Sequence, residues 1–361
     1  MNIVFDDIIF SLQRAGGISV VWYELLSRMR DDGDLRPLYL DHGIGQNIFR
    51  QQLPIAEEKV IADIPCPAIM RYLPVNVPVN SPFLFHSSYY RYCMNPLAIN
   101  ITTVHDFTYE YFHSGLRKKV HSWQKSKAIR NSDYIICVSE NTKKDLLSFF
   151  PGTDESRIRV IYNGVSDSYH PLSGQEGVSA LPFQPQSYVL FVGDRAAYKN
   201  FQMCVQSVRQ TQYNLVVVGK ALTASERKQL NQELAPGRYS VMSYVSNEQL
   251  NILYNHAAAL LYPSVYEGFG IPVLEAQKAG CPVIACNASS IPEVIATDSL
   301  LMGEASERCL IEKMELLSSK ELVCHVREEG IRFAARFSWE KMVSQYMALY
   351  REAAQMKKMK W

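Results

Sequence analysis

Short apolar runs alternate with amphipathic stretches along this 361-residue chain, and the alternation starts over midway. In the first half, strand-like runs at 3–5, 37–40, 83–86, 101–105, 134–138 and 158–161 share the chain with helix-like stretches at 18–29, 120–131 and 140–149. The second half opens with strand-like runs at 188–192, 215–218, 258–262 and 282–285. Its helical stretches fall at 201–209, 224–233, 247–256, 272–279, 307–317, 320–333 and 339–354. Such alternation is the pattern of parallel sheets joined by crossover helices. Between the halves, the polar stretch 171–186 (PLSGQEGVSALPFQPQ) has turn-forming composition and reads as a linker. The expected architecture is therefore α/β, with two Rossmann-like, doubly wound parallel-sheet domains facing a cleft. Residues 1–170 form the first domain, 187–336 the second, and 337–361 a closing helix.

The length is ample for two cores. With 47% hydrophobic and 20% charged residues the composition is that of a globular protein, and a net charge of +1 gives no general bias towards nucleic acid. Any basic site must be local. The eight cysteines are dispersed, without C-x-x-C or zinc-type spacing, which suits a reducing compartment. The chain opens directly on NIVF, and no apolar run reaches transmembrane length, so a cytoplasmic location is expected, with peripheral membrane association left open. The one Asp-x-Asp, Asp32-Gly33-Asp34, lies in a hydrophilic stretch and reads as a turn; no metal is expected.

The most informative segment is YPSVYEGFGIPVLEAQKAGCPVIACNASSIPEV, residues 262–294. An apolar strand leads to Glu267, then to the turn Gly268-Phe269-Gly270, then through Ile271 and Pro272 into a helix carrying Glu275. A glycine turn at a helix N-terminus offers unpaired N–H groups and the positive end of the helix dipole, which suit a diphosphate. Two carboxylates at this spacing can face one pocket and accept hydrogen bonds from hydroxyls. A glycine pair alone is equally a plain turn. The whole segment, glutamate, seven residues and glutamate in a P-S-x-x-E-G-F-G-x-P-x-x-E-A context, closely resembles the signature of the retaining glycosyltransferases of family 4. Their fold is GT-B, in which the first domain binds acceptor, the second binds donor, and the closing helix crosses back to the first.

Further stretches carry the resemblance: VHDF at 104–107, DYIICVSENTKKDL at 133–146, VIYNGV at 160–165 and FSWEKMVSQYMALY at 337–350. Residues 41–82 match nothing usable. In FVGDRAAYKNF (191–201), Gly193 ends a strand, and Arg195 and Lys199 follow in a loop where α/β sheets place ligands. The resemblance makes Lys199 a neutraliser of the leaving diphosphate, with Arg195 beside it. It also implies that Gly16-Gly17 approach the donor phosphates or the acceptor, although on their own they are a turn signal. Gly219-Lys220 and Tyr244-Val245 would hold the base, Glu275 the ribose and Glu267 the donor sugar. His105 would contact the transferred sugar, while Asp106 orients it or caps the next segment. His86, in FLFHSS, resembles another landmark, and it and Asp106 are candidate acceptor contacts. The Ser289-Ser290-Ile291-Pro292-Glu293 turn is equally a capping or a binding element.

The resemblance implies retention of configuration by a front-face, oxocarbenium-like step, and no metal or other cofactor is expected. The loop 191–201 resembles that of O-antigen and capsule mannosyltransferases, so the expected function is transfer of a hexose, with GDP-mannose as first donor, to a saccharide or lipid-linked saccharide in surface polysaccharide synthesis. A dTDP- or UDP-sugar donor, a phosphorylase or epimerase on the same fold, and an inactive sugar- or nucleotide-binding scaffold are the alternatives. Finally, RKKVHSWQKSKAIR (117–130) carries six Lys/Arg and no acid, and Lys357, Lys358, Lys360 and Trp361 add a basic tail. Both suit anionic lipid head groups or, equally, solvated surface.

Overall fold

The computed structural model describes residues 1–30, 32–41, 45–62 and 66–356, with Met356 described as backbone alone. The basic tail from Lys357 to Trp361 lies outside the described residues. The chain divides into two compact units, one of residues 1–164 with 339–361, the other of residues 165–338.

The first unit holds seven strands: β1 (Asn2–Asp6), β2 (Arg36–Asp41), β3 (Val60–Ala62), β4 (Phe83–Ser87), β5 (Ala98–Val104), β6 (Tyr134–Cys137) and β7 (Ile158–Val160). They pair in the order β3-β2-β1-β4-β5-β6-β7, all parallel. Every residue of β4 and β5 is buried, because helices cover both faces of the sheet. Phe5 anchors one face, with Trp22 edge-on at 5.8 Å and Tyr39 stacked at 5.9 Å. The helix Trp339–Met356 belongs to this unit although it ends the chain. Its Tyr350 ring lies 6.3 Å from Phe5, and its Tyr346 ring stacks on His86 at 5.8 Å. At the end of β1, buried Asp6 is satisfied by Arg91 at 3.0 Å and by the Ser87 hydroxyl at 2.7 Å, which offsets the cost of burying its charge.

The second unit holds β8 (Tyr188–Val192), β9 (Asn214–Val218), β10 (Tyr239–Met242), β11 (Ala259–Tyr262), β12 (Val283–Cys286) and β13 (Leu301–Met302). They pair in the order β10-β9-β8-β11-β12-β13, again parallel. The strand order therefore reverses between β8 and β11. Crevices beyond the carboxyl ends of strands at such a reversal are where open α/β sheets bind ligands. Val189, Phe191, Leu215, Val217, Leu261 and Ile284 form the centre of the core here.

Both sheets are doubly wound, as the apolar periodicity predicts. The helices Glu140–Phe149, Phe201–Arg209, Ala224–Glu233 and Asn247–His256 match their expected bounds. Capping boxes of Thr223 with Glu226 and Ser246 with Gln249 fix two of these starts. Strands β3, β10 and β13 were not foreseen. Two have only three and two residues, too short to show a period, and β10 is an edge strand with every residue half-buried. Residues 171–186 lie along the helix Asn247–His256: the amides of His170 and Leu172 donate to Asn251 Oδ1 (3.1 Å) and Asn255 Oδ1 (2.7 Å), and His256 Nε2 bonds the Glu176 carbonyl at 2.8 Å. Asp32 Oδ1 accepts the Asp34 amide at 2.8 Å, closing the expected turn. All eight cysteines are free. No helix among the described residues is long and apolar enough to cross a membrane.

Candidate functional site

In the second unit, two loops leave adjacent strand ends at the reversal point. One follows β8 and the other follows β11. Asn200 Nδ2 donates to the Pro263 carbonyl at 2.8 Å and the Val265 amide to the Tyr198 carbonyl at 3.0 Å, so the loops are stitched together. This stitching sets Lys199 Nζ 2.8 Å from Glu267 Oε1, with each side chain only 13% exposed. Burial pulls the Lys199 ammonium towards deprotonation, but the oxygens of Tyr262, Glu267 and Tyr198 outweigh it and its pKa rises. Lys199 is therefore a fixed cation, and residues separated by 68 positions form one charged pair.

The turn after Glu267 is built from below by two serines. The Glu267 amide donates to Ser289 Oγ at 2.8 Å, and the fully buried Ser290 hydroxyl lies 2.9 Å from the carbonyls of both Glu267 and Phe269. Sequence reasoning left this serine turn open between capping and binding; it supports the glycine turn. Gly270, at φ +109°, precedes the helix Ile271–Lys278, with Pro272 at its N-terminus. A Cβ on Gly270 would meet Ile291 Cδ1 at 3.2 Å and Val294 Cγ2 at 3.3 Å, so both backbone twist and space require glycine. Phe269 is buried against Phe337, with centroids 6.1 Å apart, and acts as a packing anchor.

Glu275, on that helix, accepts the Tyr254 hydroxyl at 3.2 Å, and the Tyr169 hydroxyl lies beside it. Burial raises its pKa to about 7 against the opposing pull of these two hydroxyls. The Tyr169 and Tyr254 rings meet edge-on at 5.9 Å, and Tyr169 also reaches Asn247 Oδ1 at 3.2 Å. Neither tyrosine was foreseen. Both are distant in sequence from Glu275, and no local pattern marks them.

The structure gives Arg195 different partners from those expected. Its Nε and Nη2 grip Glu226 at 2.6 and 3.3 Å, and Nη1 and Nη2 donate to the carbonyls of Lys220 and Ala221, each at 3.0 Å. Arg195 thus ties the loop after β8 to the loop after β9 instead of presenting its fork to an anion. The missed partner Glu226 is the N3 residue of a capping box, a local signal that marks the helix start but not the ion pair. Beneath the clasp, Gly193 and Gly219 nearly touch: a Cβ on Gly219 would stand 2.4 Å from the Gly193 carbonyl oxygen. Lys220 is exposed, and Val245 is half-buried. Tyr244, at φ +60°, is an exposed aromatic in the left-handed region.

The first unit holds the remaining candidates. Gly17 starts the helix Gly17–Met29, and Gly16 precedes it in extended backbone. His105 follows β5, and burial, aided by Lys125, lowers its pKa to about 4, so the imidazole is neutral. Asp106 Oδ1 accepts the Thr108 amide at 3.1 Å, beside the start of the short helix Thr108–Phe112, whose N-cap position is Phe107. His86 does not fit the acceptor contact expected of it. It is fully buried, with Nδ1 2.6 Å from the Tyr350 hydroxyl and Nε2 2.9 Å from Thr103 Oγ1. The closing helix covers it, which the sequence around 86 does not reveal. No group of three or more potential metal ligands occurs among the described residues.

Comparison with known proteins adds to this geometry. The profile of Glycosyltransferase Family 4 matches residues 68–169, and that of Glycosyl transferases group 1 matches residues 179–352. The O-antigen chain mannosyltransferase B of Escherichia coli is 25% identical over 287 residues, which cover 74% of each chain. The O-antigen chain mannosyltransferase RfbU of Salmonella typhimurium is 30% identical over 219 residues, 59% of each chain, so this match spans less than two thirds of that relative. The crystal structure of HepE from Anabaena in complex with UDP and glucose superposes with a TM-score of 0.72 at 17% identity, over 98% of this chain and 100% of that one, a likeness of fold.

Proposed function

With a Glycosyltransferase Family 4 domain followed by a Glycosyl transferases group 1 domain, and the two doubly wound sheets of the GT-B fold, this chain resembles the family 4 glycosyltransferases, and on that premise we propose that it is a retaining hexosyltransferase of surface polysaccharide synthesis. The donor is a nucleotide sugar held by residues 165–338, and the acceptor is a saccharide, free or lipid-linked, recognised by the first unit. The observation that carries this reading is the Lys199–Glu267 pair at the β8–β11 reversal, beside the N-terminus of the helix that bears Glu275.

A diphosphate at that N-terminus meets the amides around Gly270 and the positive helix end, with Lys199 as the adjacent cation. Glu275 accepts from ribose hydroxyls, and Glu267 shares Lys199 with the departing phosphate while accepting from the hexose. Arg195 acts indirectly, by holding the β8 and β9 loops through Glu226. In the first unit, neutral His105 is the candidate for a sugar hydroxyl.

The bond between the anomeric carbon and the diphosphate oxygen breaks, and the acceptor oxygen bonds the same face of that carbon. The acceptor's proton passes to the leaving phosphate, so nucleoside diphosphate and glycosylated acceptor are the products. The charge is met by Lys199 and the helix end, and no metal is required. Two O-antigen mannosyltransferases among the relatives support mannose from GDP-mannose, whereas the UDP and glucose bound by HepE favour a UDP-sugar. A thermal-shift screen of nucleoside diphosphates, followed by transfer assays in EDTA with product anomers read by NMR, tests the proposal. GDP stabilisation and an α-linked product from an α-donor are expected. Stabilisation by no nucleotide, an inverted product or an absolute metal requirement would overturn the corresponding part.

A further inference from the structure

The helix Gly115–Asn131 is two-faced in an unusual way. Its inner face buries His121, Gln124, Lys125, Ala128 and Ile129, and the Lys125 ammonium is neutralised there by Glu110 Oε2 at 2.7 Å. On the outside, Leu116, Lys119, Trp123, Lys127 and Arg130 recur at intervals of three, four, four and three residues. Residues so spaced lie in one stripe along a helix, here about 21 Å long. All five are exposed, Leu116 by 76% and Trp123 by 51%.

An ordinary solvated helix interleaves its cations with acids. The helices Glu307–Glu315 and Lys320–Ala334 do so, pairing Arg308 with Glu312 and Arg332 with Glu329. The stripe cannot, because residues 115–131 contain no carboxylate. The chain as a whole carries a net charge of only +1, so this concentration is local. A line of cations interrupted by a leucine and a tryptophan matches a helix lying in the plane of a bilayer surface. Lysine and arginine reach lipid phosphates, while tryptophan and leucine enter the boundary between head groups and acyl chains.

We propose that this stripe docks the enzyme onto an anionic lipid surface. Its use rests on the reading of a lipid-linked acceptor, but the docking itself does not.

The test is co-sedimentation of the full chain with vesicles of phosphatidylethanolamine and phosphatidylglycerol, and with vesicles of phosphatidylcholine alone. Wild type is expected to bind only the first, with blue-shifted emission that Trp123→Phe abolishes. Each basic residue near an anionic leaflet is worth about fivefold in binding, so Lys119→Glu/Lys127→Glu/Arg130→Glu should lower partition by roughly 100-fold. Leu116→Ser/Trp123→Ser should weaken it, and the control Arg227→Glu/Lys228→Glu/Lys320→Glu should not. Transfer to a water-soluble acceptor should continue in all of these variants. The proposal is overturned if wild type ignores phosphatidylglycerol, if stripe and control variants partition alike, or if a lipid-free nucleic acid binds as well without the emission shift. Absence of transfer by wild type would sink the proposed function and leave the vesicle result standing.

Discussion

Lys199 Nζ and Glu267 Oε1, 68 positions apart in the chain, lie 2.8 Å apart at the strand-order reversal of the second sheet. A lone lysine on an open loop would be a mobile, solvated charge. Held against Glu267 and ringed by Tyr198 and Tyr262, it is oriented before any ligand arrives.

Removing either partner leaves the other as an uncompensated, mostly buried charge. Lys199→Ala and Glu267→Ala should each cost about 1–3 kcal/mol of stability, and the double variant should cost less than the sum of the two. Lys199→Ala should also lower kcat by at least about 100-fold, the scale of removing one preorganised electrostatic contact. Urea unfolding and transfer kinetics check both; additive stability losses or near-wild-type turnover would contradict the pair's role.

If Glu275 binds the donor ribose as proposed, nucleotide binding should depend on pH. Its folded pKa of about 7 stands above the ordinary 4.5, so the folded chain holds this proton more tightly than the unfolded one. This group's contribution to stability therefore falls as pH rises from about 4.5 to about 7. On the proposed contact, ribose hydroxyls would donate to the ionised form, so affinity for a nucleoside diphosphate should rise about tenfold from pH 6 to pH 8. Calorimetry at both pH values, with Glu275→Gln as the variant lacking this dependence, provides the check.

The Arg195–Glu226 clasp has the opposite sign. Hydrogen bonding from Arg195 depresses the Glu226 pKa to about 2, below the ordinary 4.5, so its stabilisation is present above pH 4.5 and disappears as pH falls towards 2. Glu226→Gln should lose about 1 kcal/mol at neutral pH, because the pair is partly solvated, and should converge with wild type in acid. Denaturant melts at pH 7 and pH 3 measure that gap, and a constant gap would rule out the linkage.

Gly219→Ala should destabilise the second unit by about 2 kcal/mol or more, since its Cβ would meet the Gly193 carbonyl oxygen at 2.4 Å. Gly17→Ala meets nothing within 4 Å and should be close to neutral. Thermal unfolding of the two variants side by side tests the contrast.

Much of this was legible in the chain, for physical reasons that differ from place to place. Helices such as Phe201–Arg209 and Asn247–His256 announce themselves because one face must be apolar every three to four residues. The glycine turn at 268–270 is local, since only glycine accepts the φ of +109° at Gly270 in the space left by Ile291 and Val294. Edge strand β10 and the short helix Thr108–Phe112 escaped, because half-buried or single-turn elements impose no period.

By itself the sequence determined the two doubly wound sheets and the resemblance to family 4 glycosyltransferases, since apolar periodicity and the glutamate–glycine–glutamate motif are written in neighbouring residues. Only the tertiary structure decided what each charged group faces. It joined Lys199 to Glu267, turned Arg195 towards Glu226, wrapped Glu275 in Tyr169 and Tyr254, and buried His86 beneath Tyr350. Hydrogen bonds and ion pairs act over about 3 Å in space and are indifferent to separation along the chain, so no local pattern encodes them.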